Sequence, residues 1–216
     1  MVYNKTDFKS HISTLQIEDF KFKSAVQAYL FVRTKPNRTE TITISYKDYA
    51  PHGFYIAGVS AEIFLNEIEI ILTPLLSKHG VKEVFQSTIG KSFQGMSGVN
   101  YEVFNIEINN ERTFGEVITE VKKIIDQFAL PFLEASLQTI ANLLADKKPE
   151  EIVPYIQGPI LLPKTVLILK EAKHPEYKKK LSEFYLVLKQ YADKKESYRP
   201  YLNVFNDLFS EDLKVV

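Results

Sequence analysis

The chain has 216 residues, with 27 basic and 27 acidic side chains and a formal net charge of zero, so its overall charge gives nucleic acid or an anionic membrane no hold. It contains no cysteine, which excludes disulfides, thiolate catalysis and cysteine-ligated zinc. A chain of this length is expected to bury roughly 70% of its unfolded surface without a covalent staple. The opening residues carry no apolar signal region and no apolar run reaches the ~18 residues of a membrane span, so a cytoplasmic location is expected by elimination.

In chain order, residues 6–15 read as a short helix with Phe8, Ile12 and Leu15 on one side. Residues 24–35 read as one strand, Val26, Ala28, Leu30 and Val32 alternating with Gln27, Tyr29, Phe31 and Arg33. Lys35-Pro36-Asn37-Arg38 is a turn, with Pro36 preset for its first corner. Residues 39–49 alternate Ile42, Ile44 and Tyr46 with Thr41, Thr43 and Ser45, the pattern of a strand with one wet face. Ala50-Pro51-His52-Gly53 turns the chain into a further strand at 54–63, where Gly58 marks a bulge. These strands are expected to form an antiparallel meander.

Asn66 is the expected cap of a helix carrying Ile68, Ile71, Leu72, Leu75 and Leu76, stopped by Gly80 and kinked or shortened by Pro74. Residues 81–89 read as a fourth strand, 90–98 as a glycine-rich loop, and 100–108 as a fifth strand. Thr113 and Glu116 have capping-box spacing, and Phe114, Val117, Ile118, Val121, Ile124, Ile125 and Phe128 form the apolar stripe of an amphipathic helix. Pro131 is expected to kink or break that helix, and Phe132, Leu133, Leu137, Ile140 and Leu144 to continue as a second apolar helix face. The rest is helical. Residues 160–173 are apolar on most sides, and Pro159, Pro175 and Pro200 stand where first turns should begin.

The predicted fold is therefore α+β. An N-terminal antiparallel sheet of about five strands with packed helices spans 1–112 and an all-helical region spans 113–216, the two joined into one compact unit through the helix at 113–128.

No motif carries chemistry. Gly90-Lys91-Ser92 lacks the glycine a phosphate loop needs five residues earlier, where Phe85 stands. His11, His52, His79 and His174 form no metal-binding spacing. Glu67 and Glu69 would not share a helix face, Glu102 and Glu107 would point to opposite strand faces, and all read as solvated acids, as does Glu62. No cofactor and no metal is expected. Residues 164–199 hold ten basic and five acidic side chains, a local excess of +5 that reads as solvated lysines on helix faces or as a phosphate-binding surface. The aromatic stripes read as core, and Tyr49, Tyr191 and Tyr198, near element ends, as surface candidates.

Three features resemble a loosely defined group of bacterial α+β proteins, some of which are thought to be immunity proteins that neutralise toxins. They are the hairpin at 42–63, the helix-then-turn Phe128-Ala129-Leu130-Pro131-Phe132-Leu133, and the helical pair around His174-Pro175-Glu176-Tyr177; together they cover about 39–191. The resemblance implies an interaction protein and carries no functional residue with it. The leading expectation is a non-enzymatic cytoplasmic protein-binding protein. The alternatives are a nucleic-acid-associated protein using the basic C-terminal helices, and an enzyme whose site assembles only in three dimensions. The expected partner surface is the joint between the last two helices, Tyr191, Lys194, Lys195, Tyr198 and Arg199: tyrosine and arginine recur in binding hot spots, and the lysines would steer an acidic partner.

Overall fold

The computed structural model describes residues 5–49, 53–81 and 87–214. In chain order these are α1 (Lys5–Ser13), β1 (Lys21–Ala25), β2 (Ala28–Lys35), β3 (Arg38–Asp48), β4 (Phe54–Leu65), α2 (Asn66–Lys78), β5 (Ile89–Ser92), a 3-10 turn (Tyr101–Asn105), α3 (Glu111–Ile124), a π-helical turn (Ile125–Ala129), α4 (Leu130–Leu133), α5 (Leu137–Ala145), α6 (Pro149–Ile152), α7 (Leu161–Glu171), α8 (Tyr177–Lys194), a 3-10 turn (Glu196–Tyr198) and α9 (Arg199–Leu213). The expected class is observed: a five-stranded antiparallel sheet in the order β1-β2-β3-β4-β5, followed by a helical C-terminal half. The chain forms two compact units, Met1–Ile63 with Gly90–Glu134, and Phe64–Ile89 with Ala135–Val216; the 112/113 boundary expected from sequence falls inside the first. Among the described residues no single helix is long and apolar enough to cross a membrane.

In the first unit the alternation of β3 does what the pattern implies. Ile42, Ile44 and Tyr46 are buried, while Thr41, Thr43 and Ser45 are half-covered. The turn at Pro36-Asn37 closes a two-residue hairpin with Lys35 opposite Arg38. The strand expected at 24–35 is instead two strands. Ala25 pairs with Ala28, Val26 stands 93% exposed at the tip, and Gln27 takes a left-handed φ of 53°. In β4 the buried positions run Phe54, Ile56, Gly58 and then shift phase to Val59, Ala61, Ile63, as a one-residue bulge requires. Phe8 of α1 stacks on Phe54 at 5.1 Å and meets Phe114 edge-on at 6.0 Å, which fastens α3 to the sheet.

Helix α3 begins before the capping box read from the sequence. Asn110 is the cap: its side-chain oxygen accepts from the Thr113 N–H at 2.9 Å, and the Thr113 hydroxyl donates to the Asn110 carbonyl at 3.0 Å. Asn110→Ala is expected to lower stability by ~1 kcal/mol through loss of that cap; urea titration followed by circular dichroism measures it, and an unchanged midpoint would remove Asn110 from the role. Pro131 does not break the helix. The path widens into the π turn at Ile125–Ala129, where the Leu130 N–H reaches the Ile125 carbonyl, and α4 then runs on through Pro131. The wider turn accommodates the proline ring and the backbone donor it lacks. The strand expected at 100–108 is also corrected. Residues 101–105 form a 3-10 turn capped by the Asn100 side chain on the Glu102 N–H, and only Ile108 bridges to the sheet, opposite Phe54.

Gly90, Lys91 and Ser92 lie in β5 rather than in a loop. A Cβ on Gly90 would meet the Glu62 Cγ at 3.1 Å, so the glycine allows close strand approach rather than loop freedom. The expected strand at 81–89 lies largely outside the described residues, and β5 begins at its last position.

In the second unit α7 is buried at every position from Leu161 to Leu169, as its all-round apolar sequence implies. It is flanked by the buried stripes of α8 (Leu181, Phe184, Leu188, Ala192) and α9 (Tyr201, Val204, Phe205, Phe209). Helix α2 is capped at Leu65 rather than Asn66, without a side-chain cap. Its end matches expectation. Gly80 takes φ +73°, with the Val81 N–H on the Leu76 carbonyl and the Gly80 N–H on that of Ser77, a Schellman closure. Pro74 does not shorten it, since the helix runs to Lys78. Of Pro159, Pro175 and Pro200, only Pro200 lies within a first helical turn; α7 and α8 each begin two residues beyond their proline.

Candidate functional site

The joint between α8 and α9 gathers the expected surface residues. Lys195 leaves the helix in an extended conformation (φ −141°, ψ 118°), its N–H still reaching the Tyr191 carbonyl at 2.8 Å. The 3-10 turn then reverses the chain, and Pro200 enters α9 where its missing donor costs nothing. This brings the rings of Tyr191 and Tyr198 to 5.3 Å between centroids, tilted by 49°. Tyr191 is 42% exposed, Tyr198 is half-buried, and Lys194, Lys195 and Arg199 are exposed. Among the described residues these three cations make no ion pair within 4.0 Å. Asp193 and Glu196 share the segment, so its net charge is +1, from three cations and two carboxylates. Leu188 lies in the core beneath as expected, whereas Leu202 is only half-buried.

Half of the basic side chains counted in the C-terminal helices are paired. Lys170 and Lys178 both hold Asp212, at 2.9 and 2.6 Å, Lys179 pairs with Glu176 and Lys180 with Glu183. Hydrogen bonds from Lys178, Lys170 and Tyr177 hold the Asp212 carboxyl well below the usual carboxylate range, and burial followed by Asp212 pushes the Tyr177 hydroxyl up. Lys164 is buried against Glu69. Five of the ten cations counted between 164 and 199 are therefore committed to carboxylates, which weakens the phosphate-backbone reading, since that needs cations free to displace counterions.

Each described histidine has its own surroundings. His79, at the end of α2, contacts Asp207 at 2.7 Å beside Lys78. The His174 ring accepts from the Glu176 N–H at 3.2 Å, and the His11 ring lies 5.1 Å from Phe114. His52 lies outside the described residues. Among the described residues no three acidic or histidine side chains are grouped to hold a metal ion. Glu67 and Glu102 are exposed as expected, and Glu107 accepts from the Tyr55 hydroxyl at 3.3 Å. Glu62 is half-buried in β4, and burial raises its pKa.

Two charged centres lie where solvated acids or nothing was expected. In the second unit Glu69 is buried: it pairs with the Lys164 ammonium at 2.8 Å and accepts from the Thr88 hydroxyl at 2.8 Å, while Lys164 also donates to the Ser87 carbonyl at 3.0 Å. Burial holds Lys164 below the ordinary lysine range, against the pull of Glu69. In the first unit Glu40 is fully buried on β3 and meets Arg33 at 2.6 Å, Arg38 at 2.8 Å and Lys35 at 3.0 Å. The parity of Glu40 with Ile42, Ile44 and Tyr46 was the available signal. Lys164, alone among apolar residues from Ile160 to Leu169 except for Thr165, was the other.

No family model, no curated protein and no solved structure matches the chain.

Proposed function

We propose that the chain is a non-enzymatic protein-binding protein that engages an acidic partner through the joint between α8 and α9. The supporting observation is the Tyr191–Tyr198 ring pair, with Tyr191 exposed, in a segment whose exposed cations Lys194, Lys195 and Arg199 outnumber its two carboxylates. Tyrosine and arginine at a helix joint provide contact area with polar ends, and Lys194 and Lys195 add steering. The resemblance noted above makes a cytoplasmic immunity protein, with a toxin as partner, the specific form of this proposal. Affinity capture with the intact chain is expected to recover one stoichiometric partner. A Tyr198→Ala, Arg199→Ala double variant is expected to fold normally and bind that partner at least tenfold more weakly, a loss of ~1.4 kcal/mol. Full affinity in the variant would eliminate this surface, and failure to recover any partner would count against the function itself.

A further inference from the structure

The charged centre of the first unit holds two carboxylates of different kinds. Glu40 is fully buried and touches all three cations, so it is a permanent part of the site. Glu134 is 60% exposed. It takes one short contact, from Arg33 Nη2 at 2.6 Å, and two loose ones, from Lys35 Nζ at 3.5 Å to each of its oxygens. Arg33 is held from three directions: its Nε donates to Glu40, its guanidinium lies 4.6 Å over the ring of Phe20, and only its Nη2 edge faces Glu134. Arg38 is occupied on both sides, by Glu40 and by the Leu133 carbonyl. The count is three cations against two carboxylates, and it rises to +2 when Glu134 swings away.

We propose that Arg33 and Lys35 form a binding site for a phosphate group, and that Glu134 of the same chain occupies it in this structure. A guanidinium edge fixed by a buried carboxylate and an aromatic face is preorganised for a planar or tetrahedral oxyanion. The adjacent ammonium supplies the second charge. A phosphate dianion offers more acceptor oxygens than a carboxylate, so it exploits the loose Lys35 contact that Glu134 fills poorly. The Arg33 hydrogen bond holds the Glu134 carboxyl below the usual range, so at neutral pH the occupant is fully charged and competes with the ligand. Glu134 thereby sets a threshold: weak anions stay out, and a multiply charged one enters.

The test is calorimetric titration of the intact chain with inorganic phosphate at low ionic strength, with circular dichroism confirming the fold of each variant. Glu134→Ala, and the isosteric Glu134→Gln, are expected to bind phosphate at least tenfold more tightly than the natural chain. Adding Lys35→Ala to Glu134→Ala is expected to abolish the gain. Equal affinity in the natural chain and both Glu134 variants, or a gain that survives Lys35→Ala, would overturn the site. A phosphoserine tripeptide binding the Glu134 variants more tightly than inorganic phosphate supports the site with a protein-borne phosphate as its ligand; equal binding supports it with the free anion. The site lies in the first unit and the proposed partner surface in the second, so either can fail without the other.

Discussion

Lys164→Met is expected to cost about 3–5 kcal/mol, because it leaves Glu69 buried without its counter-charge. Methionine fills the space of the lysine stem, so the loss comes from the charge and not from a cavity. The carboxylate retains the Thr88 hydroxyl at 2.8 Å, but one neutral donor does not replace an ammonium in a site this dry. The Ser87 carbonyl also loses its donor. A Lys164→Met, Glu69→Gln double variant is expected to recover most of the loss. The glutamine oxygen still accepts from Thr88, which in turn accepts from the Leu65 N–H at 2.8 Å at the start of α2. Buried ion pairs are often matched by neutral replacements of similar shape, since the desolvation of two charges disappears with them. Urea unfolding of the two single variants and the double gives the coupling directly. If the single variants each cost less than ~1 kcal/mol, water reaches the pair and Glu69 is not buried in solution.

The two buried charged centres mark where periodic patterns stop being informative. A pattern reading treats charge as a label for the outside, and it works for Glu67 and Glu102. It fails for Glu69 and Glu40 because most of the partners that make their burial tolerable are brought in from elsewhere, Lys164 by tertiary structure and Arg33 and Lys35 by the neighbouring strand β2, with only Arg38 on the same strand as Glu40. The β3 stripe, the α3 stripe and the all-round apolar α7 were legible because packing there depends on one element at a time. The hairpin of β1 and β2 was not legible. Its loop is Val26-Gln27, with none of the glycine, asparagine or aspartate that such loops usually carry, and only two residues of β1 fell within the run read as strand. Pro131 left a kink and a break both open, and the structure removes the break. The cost of the proline is local, and the π turn upstream absorbs it while the helix keeps Leu133 buried. Asn110 rather than Thr113 caps α3 because both are capping types, and spacing alone does not choose between them. The joint at 191–199 was legible as a helix end with tyrosines. That its two rings would meet at 5.3 Å was not, since the distance depends on the extended Lys195 and the 3-10 turn after it.

Val121→Asp is expected to abolish stable folding of the first unit. Val121 is fully buried on α3, between Val117 and Ile124 on the same stripe, both buried as well. No cation lies on that stripe, which reads Phe114, Val117, Val121, Ile124. An aspartate there has two options. It stays ionised, at an effective cost of several kcal/mol for an unpaired buried charge. Alternatively it takes up a proton at neutral pH, about three units above its ordinary value of roughly 3.9, which costs about 4 kcal/mol. Either way the valine side chain's burial is also lost, a further ~1.5–3 kcal/mol. The total approaches the whole stability of an ordinary domain, about 5–15 kcal/mol. The exposed neighbour supplies the control. Lys122→Asp, one position along and facing solvent, is expected to change stability by no more than about 0.5 kcal/mol. Thermal unfolding monitored by circular dichroism separates the two variants. A Val121→Asp chain that melts with the natural one would mean that α3 buries a different face in solution.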